Sequence, residues 1–199
     1  MQKAKTGSIA LGMAVVLGHT PLMAAEQQYS LDSEHTTVAF LIEHVGYAKT
    51  LGYFSDVSGT FTYDEETGEL SDVLITVKTN SVQSDNKARD KHVRGKDFLD
   101  TKQHPEMSFT ASDVTVQPDG STDIEGELQL LGKSQPLTLS ATLNKAERYP
   151  FGHKLFTLGV SARGELQRSD YGMDYGVANA LVGDTVELII ETEANQQKP

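Results

Sequence analysis

The chain has 199 residues, a formal charge of −11 and no cysteine. The missing thiols exclude disulfides, cysteine nucleophiles and thiolate metal sites. The acidic balance argues against general binding to nucleic-acid phosphates or anionic lipid.

Residues 1–25 read as a cleaved secretory leader. Lys3 and Lys5 form a positive start, residues 9–18 an apolar run too short to span a bilayer, and Ala24-Ala25 a cleavage site. Its removal takes away two lysines and no acids, so the charge moves from −11 to −13. The remaining residues 26–199 suffice for one domain held by an apolar core alone.

Period-2 alternation then dominates. Val38, Phe40, Ile42 and His44 share one face of a first strand, while Thr37, Ala39, Leu41, Glu43 and Val45 share the other. Further strands are expected at residues 54–63, with Gly59 as a bulge, and at 70–79 after a turn at 64–68. Ser84, Asp85 and Asn86 are good helix caps, so residues 87–94 are expected to form a short helix ended by Gly95. A strand at 107–116 closes on Pro118-Asp119-Gly120, and strands at 122–131 and 137–143 flank a turn at 132–136. Strands at 156–167 and 186–193 complete about eight, joined by short turns, a pattern that favours an antiparallel barrel or sandwich. Phe40, Phe54, Phe61, Phe98 and Phe109 either fill a solid core or line a cavity; alternation alone does not choose.

The stretch 87–109 is chemically distinct. Six basic residues (Lys87, Arg89, Lys91, Arg94, Lys96, Lys102) face four acids (Asp90, Asp97, Asp100, Glu106) in an otherwise acidic chain. An anionic group would be met here first. Arg89, Asp90 and His92 offer a charge pair and a general base, but no Gly-x-Ser-x-Gly elbow exists and no serine is placed beside them. Local pairing of Asp90 with Arg94 and an exposed His92 is the simpler reading. His35, His44, His92, His104 and His153 lack close ligand spacing, so no metal site is expected, and His44 reads as a core or rim histidine. Gly132-Lys133-Ser134 looks like the end of a P-loop. However, Gly126 stands one residue too far away and no helix follows, so it is a turn. In Arg168-Ser169-Asp170-Tyr171-Gly172-Met173, Arg168 either pairs with Asp170 or a neighbouring strand beside a glycine turn, or the segment rims a cavity.

Taken in order, several segments carry a resemblance. They are Asp32-Ser33-Glu34-His35-Thr36, Val38-Ala39-Phe40 with His44, Gly59-Thr60-Phe61, Arg89-Asp90-Lys91-His92-Val93 and Asp97-Phe98-Leu99. They continue with His104-Pro105-Glu106-Met107-Ser108-Phe109, Gly126-Glu127-Leu128, 131–137 and 168–173. Their order and spacing resemble the YceI-like family of exported, lipocalin-like proteins that bind polyisoprenoid lipids. Two departures are mild: Val93 stands where leucine is usual, and Tyr171 where phenylalanine is common.

The resemblance covers nearly the whole mature chain. It implies an all-β fold, an extended antiparallel lipocalin-like β-barrel of about eight strands with a short helical insert, hollow rather than solid. It further implies a periplasmic binding or carrier protein for a polyisoprenoid lipid, either a prenyl pyrophosphate or an isoprenoid quinone, with a link to stress response. No cofactor or catalytic residue is implied. Ligand-contacting residues inferred from pattern and resemblance together are Phe40, His44, Phe54, Phe61, Arg89, His92, Phe98 and Phe109. The expected partner is the lipid, with no nucleic acid and no stable membrane anchoring, and a homodimer is left open. Two alternatives are an enzyme acting on a lipid or small amphiphile through His92 or His44, and a non-catalytic protein that shields apolar surfaces under stress.

Overall fold

The computed structural model describes residues 26–198, so the leader expected at 1–25 lies outside the described residues. In chain order the strands are β1 (Gln27–Leu31), β2 (Thr37–His44), β3 (Ala48–Phe54), β4 (Val57–Tyr63), β5 (Glu69–Lys78) and β6 (Val82–Gln83). After helix α1 (Lys87–Val93) come β7 (Glu106–Ala111), β8 (Val114–Thr115), β9 (Ser121–Leu130), β10 (Lys133–Arg148), β11 (Phe156–Gln167) and β12 (Val182–Gln196).

Eight of these strands close a ring in the order β1-β4-β5-β7-β9-β10-β11-β12, and β12 pairs back onto β1. The pairing is antiparallel throughout. Closure leaves these strands no free edge, which is how all-β folds avoid edge-to-edge association. The expected barrel of about eight strands is therefore present.

The ring has one branch. β12 is long enough to hold two partners on the same side: Ala194–Gln196 pairs with β1, while Val182–Glu191 pairs with β2. β2 and β3 form a hairpin and β6 adds to β3 at Tyr53 and Phe54. At about 3.3 Å per residue, the 16 residues of β10 follow a path of roughly 50 Å.

The departures from the expected elements have local causes. Residues 54–63 are two strands, because the chain turns at Ser55-Asp56 and Asp56 N donates to Ser81 Oγ at 3.2 Å. The bulge falls between Thr60 and Thr62, not at Gly59, which pairs regularly with Ile75. The residues expected as one strand at 107–116 are β7 and β8, separated by Ser112-Asp113, where Asp113 has φ 58°.

Helix α1 forms as expected. Asn86 Oδ1 accepts from the backbone N–H of Ala88 and Arg89, satisfying two donors of the first turn. The expected Asp90–Arg94 pair is replaced. Asp90 Oδ1 accepts from Ser84 Oγ at 2.5 Å, while the Arg94 guanidinium donates to the carbonyls of Asn80 and Val82. Both side chains thus tie the helix to the segment entering it. Such anchoring is needed, because seven residues are too few for an isolated helix to persist in water.

Candidate functional site

The inner face of the barrel is set by the period of two. Val38, Phe40, Ile42 and His44 of β2 all line an internal cavity of about 750 Å³. That volume lies within the roughly 300–1,000 Å³ of small-molecule sites. The barrel is hollow. Ala39 is buried but lies on the other series of β2, outside the lining set.

Two glycines show how bulky rings leave the interior open. A Cβ on Gly52 would lie 2.3 Å from Phe40 Cζ, and one on Gly126 would lie 2.4 Å from Phe109 Cζ. Each ring therefore lies across a neighbouring strand where no side chain stands, rather than crossing the lumen. This is the arrangement by which an aromatic covers a strand glycine.

The two ends of the cavity differ. At the end formed by β1 and β4, Phe61 and Tyr63 line the wall. Fully buried Tyr29 stacks on Phe61 with centroids 5.5 Å apart and meets Tyr63 edge-on. Burial and neighbouring Glu65 push the Tyr29 phenol far above its ordinary value, so it is neutral at any physiological pH.

The exposed members of the lining all gather at the opposite end: Glu43, His44, Val45, Ala88, Arg89, His92, Tyr175 and Leu181. That end is the mouth. Most of the lining elsewhere is aliphatic or aromatic, whereas Glu43, His44, Ser84, Arg89 and His92 concentrate polarity here. Arg89 Nε donates to Ser84 Oγ at 2.7 Å, and His92 Nε2 lies 2.8 Å from Asp97 Oδ2. The ring of His92 meets Phe98 and Tyr175 edge-on at 5.1 and 5.0 Å.

Arg168 is the feature that the sequence reading placed least well. It is 0% exposed and makes no ion pair with Asp170. Its guanidinium instead donates to four backbone carbonyls: Gly183 at 2.7 Å, Tyr175 at 2.8 Å, Val182 at 2.9 Å, and Met173. It also sits 5.7 Å from the Phe98 ring centroid. Burial pulls it below its ordinary value, opposed by Asp184 and Asp174, yet a guanidinium remains a cation. Asp184 in turn accepts from Ser169 N and Oγ at 2.9 and 2.7 Å. The segment 168–183 is thereby pinned as the wall of the mouth beside α1, consistent with the rim reading of this motif.

All eight sequence-derived candidates lie on the cavity wall: Phe40, His44, Phe54, Phe61, Arg89, His92, Phe98 and Phe109. They do not form one constellation. Phe61 belongs to the closed end, Phe40, Phe54 and Phe109 to the wall, and His44, Arg89, His92 and Phe98 to the mouth. Ser84, Tyr175 and Leu181 are mouth residues that no sequence motif announces, whereas the rim position of the Arg168 segment was one of the two readings left open for it.

One group with metal-ligand reach stands away from the mouth: the ligand atoms of Asp32, His35 and Glu193 lie within 4.8 Å of one another. His35 Nδ1 is already paired with Asp32 Oδ2 at 2.9 Å. The Asp32 bond raises the imidazole above its ordinary value. Burial would raise Asp32, but its bonds to His35 and Glu34 N outweigh that and hold it low. The chemistry is that of an ion pair tying the β1–β2 turn to β12.

Comparison with known proteins places this geometry. The model of the YceI-like domain matches residues 29–194. Protein YceI of Salmonella arizonae is 38% identical over 178 residues, covering 88% of this chain and 90% of that protein. The Campylobacter jejuni YceI structure superposes with a TM-score of 0.70 at 27% identity, over 79% of this chain and 91% of that one. Two more distant structures share the fold. Burkholderia cenocepacia BcnA gives a TM-score of 0.73 at 20% identity, covering 83% of this chain and 99% of that one. A polyisoprenoid-binding domain from Saccharophagus degradans gives 0.64 at 16% identity, covering 85% and 98%.

Proposed function

The chain belongs to the YceI-like family, and from that premise we propose that it is a periplasmic carrier that holds a polyisoprenoid lipid in its barrel and performs no chemistry on it. The observation that carries this reading is the cavity of about 750 Å³, apolar along its length and polar at one end. A prenyl chain matches the apolar part, and a polar head at the mouth meets Arg89, His92 and Ser84. The polyisoprenoid-binding domain with the same fold supports the ligand class. The leader expected at residues 1–25 supports export to the periplasm.

Energetics favour an amphiphile with a recognised head. Each methylene taken out of water contributes about 0.8 kcal/mol, but the bilayer that competes for the same lipid is equally apolar. Net preference for the barrel must come from shape and from the head group. A pyrophosphate head would be met by Arg89 and the lysines of α1, and a quinone by one or two of the same donors. Binding of either would serve transport or, under stress, storage. The polar groups at the mouth favour binding over catalysis. The Ser84 hydroxyl bonds Asp90 and Arg89 rather than the His92 ring, so hydroxyl and imidazole are not arranged as nucleophile and base.

The test is to purify the protein from cells with native membranes, extract it with organic solvent and analyse the extract by mass spectrometry. A prenyl lipid in near-stoichiometric amount is expected, and its mass identifies the head. Repeated recovery of empty protein sinks the proposal.

A further inference from the structure

Seven large hydrophobic side chains are exposed among the described residues, and five of them stand at the mouth end: Val45, Tyr47, Leu51, Tyr175 and Leu181. Val45, Tyr175 and Leu181 border the opening itself, and Val45 N donates to Leu181 O at 3.1 Å. Tyr47, at the tip of the β2–β3 hairpin, is 91% exposed, and Leu51 follows on the outer face of β3. Beside this rim, Lys87 and Lys91 of α1 and nearby Lys96 are exposed and have no ion-pair partner among the described residues. Two acids of the same stretch are occupied: Asp90 accepts from Ser84, and Asp97 pairs with His92.

Apolar protrusions flanked by uncommitted cations form the kind of surface that seats in the interface of an anionic bilayer. We propose that the mouth docks on an anionic phospholipid surface. Tyr47 and Leu51 enter the boundary between head groups and acyl chains, and Lys87, Lys91 and Lys96 face lipid phosphates. Cargo then passes between bilayer and cavity without crossing water. The passage of cargo rests on the carrier reading; the docking itself does not.

The acidic balance of the chain opposes this at long range, but contact distance decides. At physiological ionic strength the Debye length is about 8 Å, so charges on the far side of a barrel are screened from the lipid. The lysines at contact are not. Mouth-first approach is the orientation that brings the lysines around α1 and the apolar rim to the bilayer together.

The experiment is flotation of the purified chain with phosphatidylethanolamine–phosphatidylglycerol vesicles, compared with phosphatidylcholine vesicles. Preferential binding to the former, weakened by salt, is expected. The doublets Tyr47→Ser with Leu51→Ser and Lys87→Glu with Lys91→Glu should each lower the bound fraction by roughly tenfold. Phe151→Ser, which removes an exposed ring from the β10–β11 loop at the closed end, should leave it unchanged. No flotation with the anionic vesicles, or equal loss in Phe151→Ser, overturns the proposal. So does a dimer in sedimentation that Tyr47→Ser dissolves while flotation is absent, which would make the occupant a second copy. Uptake of a short prenyl alcohol in vesicle-free buffer separates the two readings. The Tyr47→Ser with Leu51→Ser doublet should retain it, because neither side chain lines the cavity. Flotation without uptake in the parent chain removes the carrier reading and leaves docking standing, whereas uptake without flotation removes docking alone.

Discussion

At the scale of single residues, Arg168 carries the largest structural burden. A guanidinium taken wholly out of water is costly unless its donors are met, and here backbone carbonyls of Met173, Tyr175, Val182 and Gly183 meet them. The debt is mutual: without Arg168 those carbonyls lose their donor in a buried site, at about 1–3 kcal/mol for each left unsatisfied. Arg168→Met, which keeps the length and apolar contact of the side chain, is therefore expected to cost about 3 kcal/mol or more in urea unfolding. Arg168→Lys should not restore it, because a point ammonium lacks the planar fork that reaches several acceptors. A loss below about 1 kcal/mol in Arg168→Met would show that the loop rests on its other contacts. This role was not legible in the sequence for a physical reason. Backbone carbonyls are present at every residue, so an arginine that binds only carbonyls has no partner residue type to betray it.

At the scale of elements, legibility followed two-sided patterning more than length, since β3, seven residues long but with little apolar alternation, was not expected. β2, β5, β9 and β11 are seven or more residues long with alternating inner faces, and their existence could be read directly. β6 and β8 have two residues each, too few for any period, and β1 has five with a single buried tyrosine. The tails of β10 and β12 were missed because they carry polar residues such as those of 144–148, where β10 pairs with β11 beyond the apolar run. The wall phenylalanines were legible as apolar strand positions, but alternation did not reveal the hollowness, which only the family resemblance implied. The hollowness depends on Gly52 and Gly126 lying beneath Phe40 and Phe109 on other strands. Helix α1 was announced by its cap, and the cap makes it testable. Asn86→Ala should cost about 1 kcal/mol locally. Because α1 contributes Ala88, Arg89, His92 and Val93 to the mouth but stands outside the barrel ring, fraying should open the mouth without unfolding the strands. Amide exchange across residues 87–93 should accelerate while β9–β11 remain protected. Uniform acceleration everywhere would mean that α1 is part of the global unit.

At the scale of the whole molecule, a hollow barrel couples cargo to stability. A lipid that binds the folded barrel and not the unfolded chain stabilises it by mass action, about 2.7 kcal/mol at a hundredfold excess over Kd. For a domain of this size that corresponds to roughly 5–10 °C in Tm. The coupling passes through the lumen alone, so it can be removed there without touching the mouth. Ala162 of β11 is buried and lines the cavity, so Ala162→Phe places a ring in space that the cargo would occupy. Thr138 of β10 is exposed between the inward-facing Leu137 and Leu139, so Thr138→Phe adds the same ring to the outer surface. Cargo-free Ala162→Phe is expected to melt within a few degrees of the parent, because the added carbons enter empty space rather than a filled core. Its ligand-induced rise in Tm should vanish, whereas Thr138→Phe should keep the full rise. Retention of the rise in Ala162→Phe would place the cargo outside the barrel, against the mouth or the outer wall, and the cavity would then be a feature of the fold rather than the seat of binding.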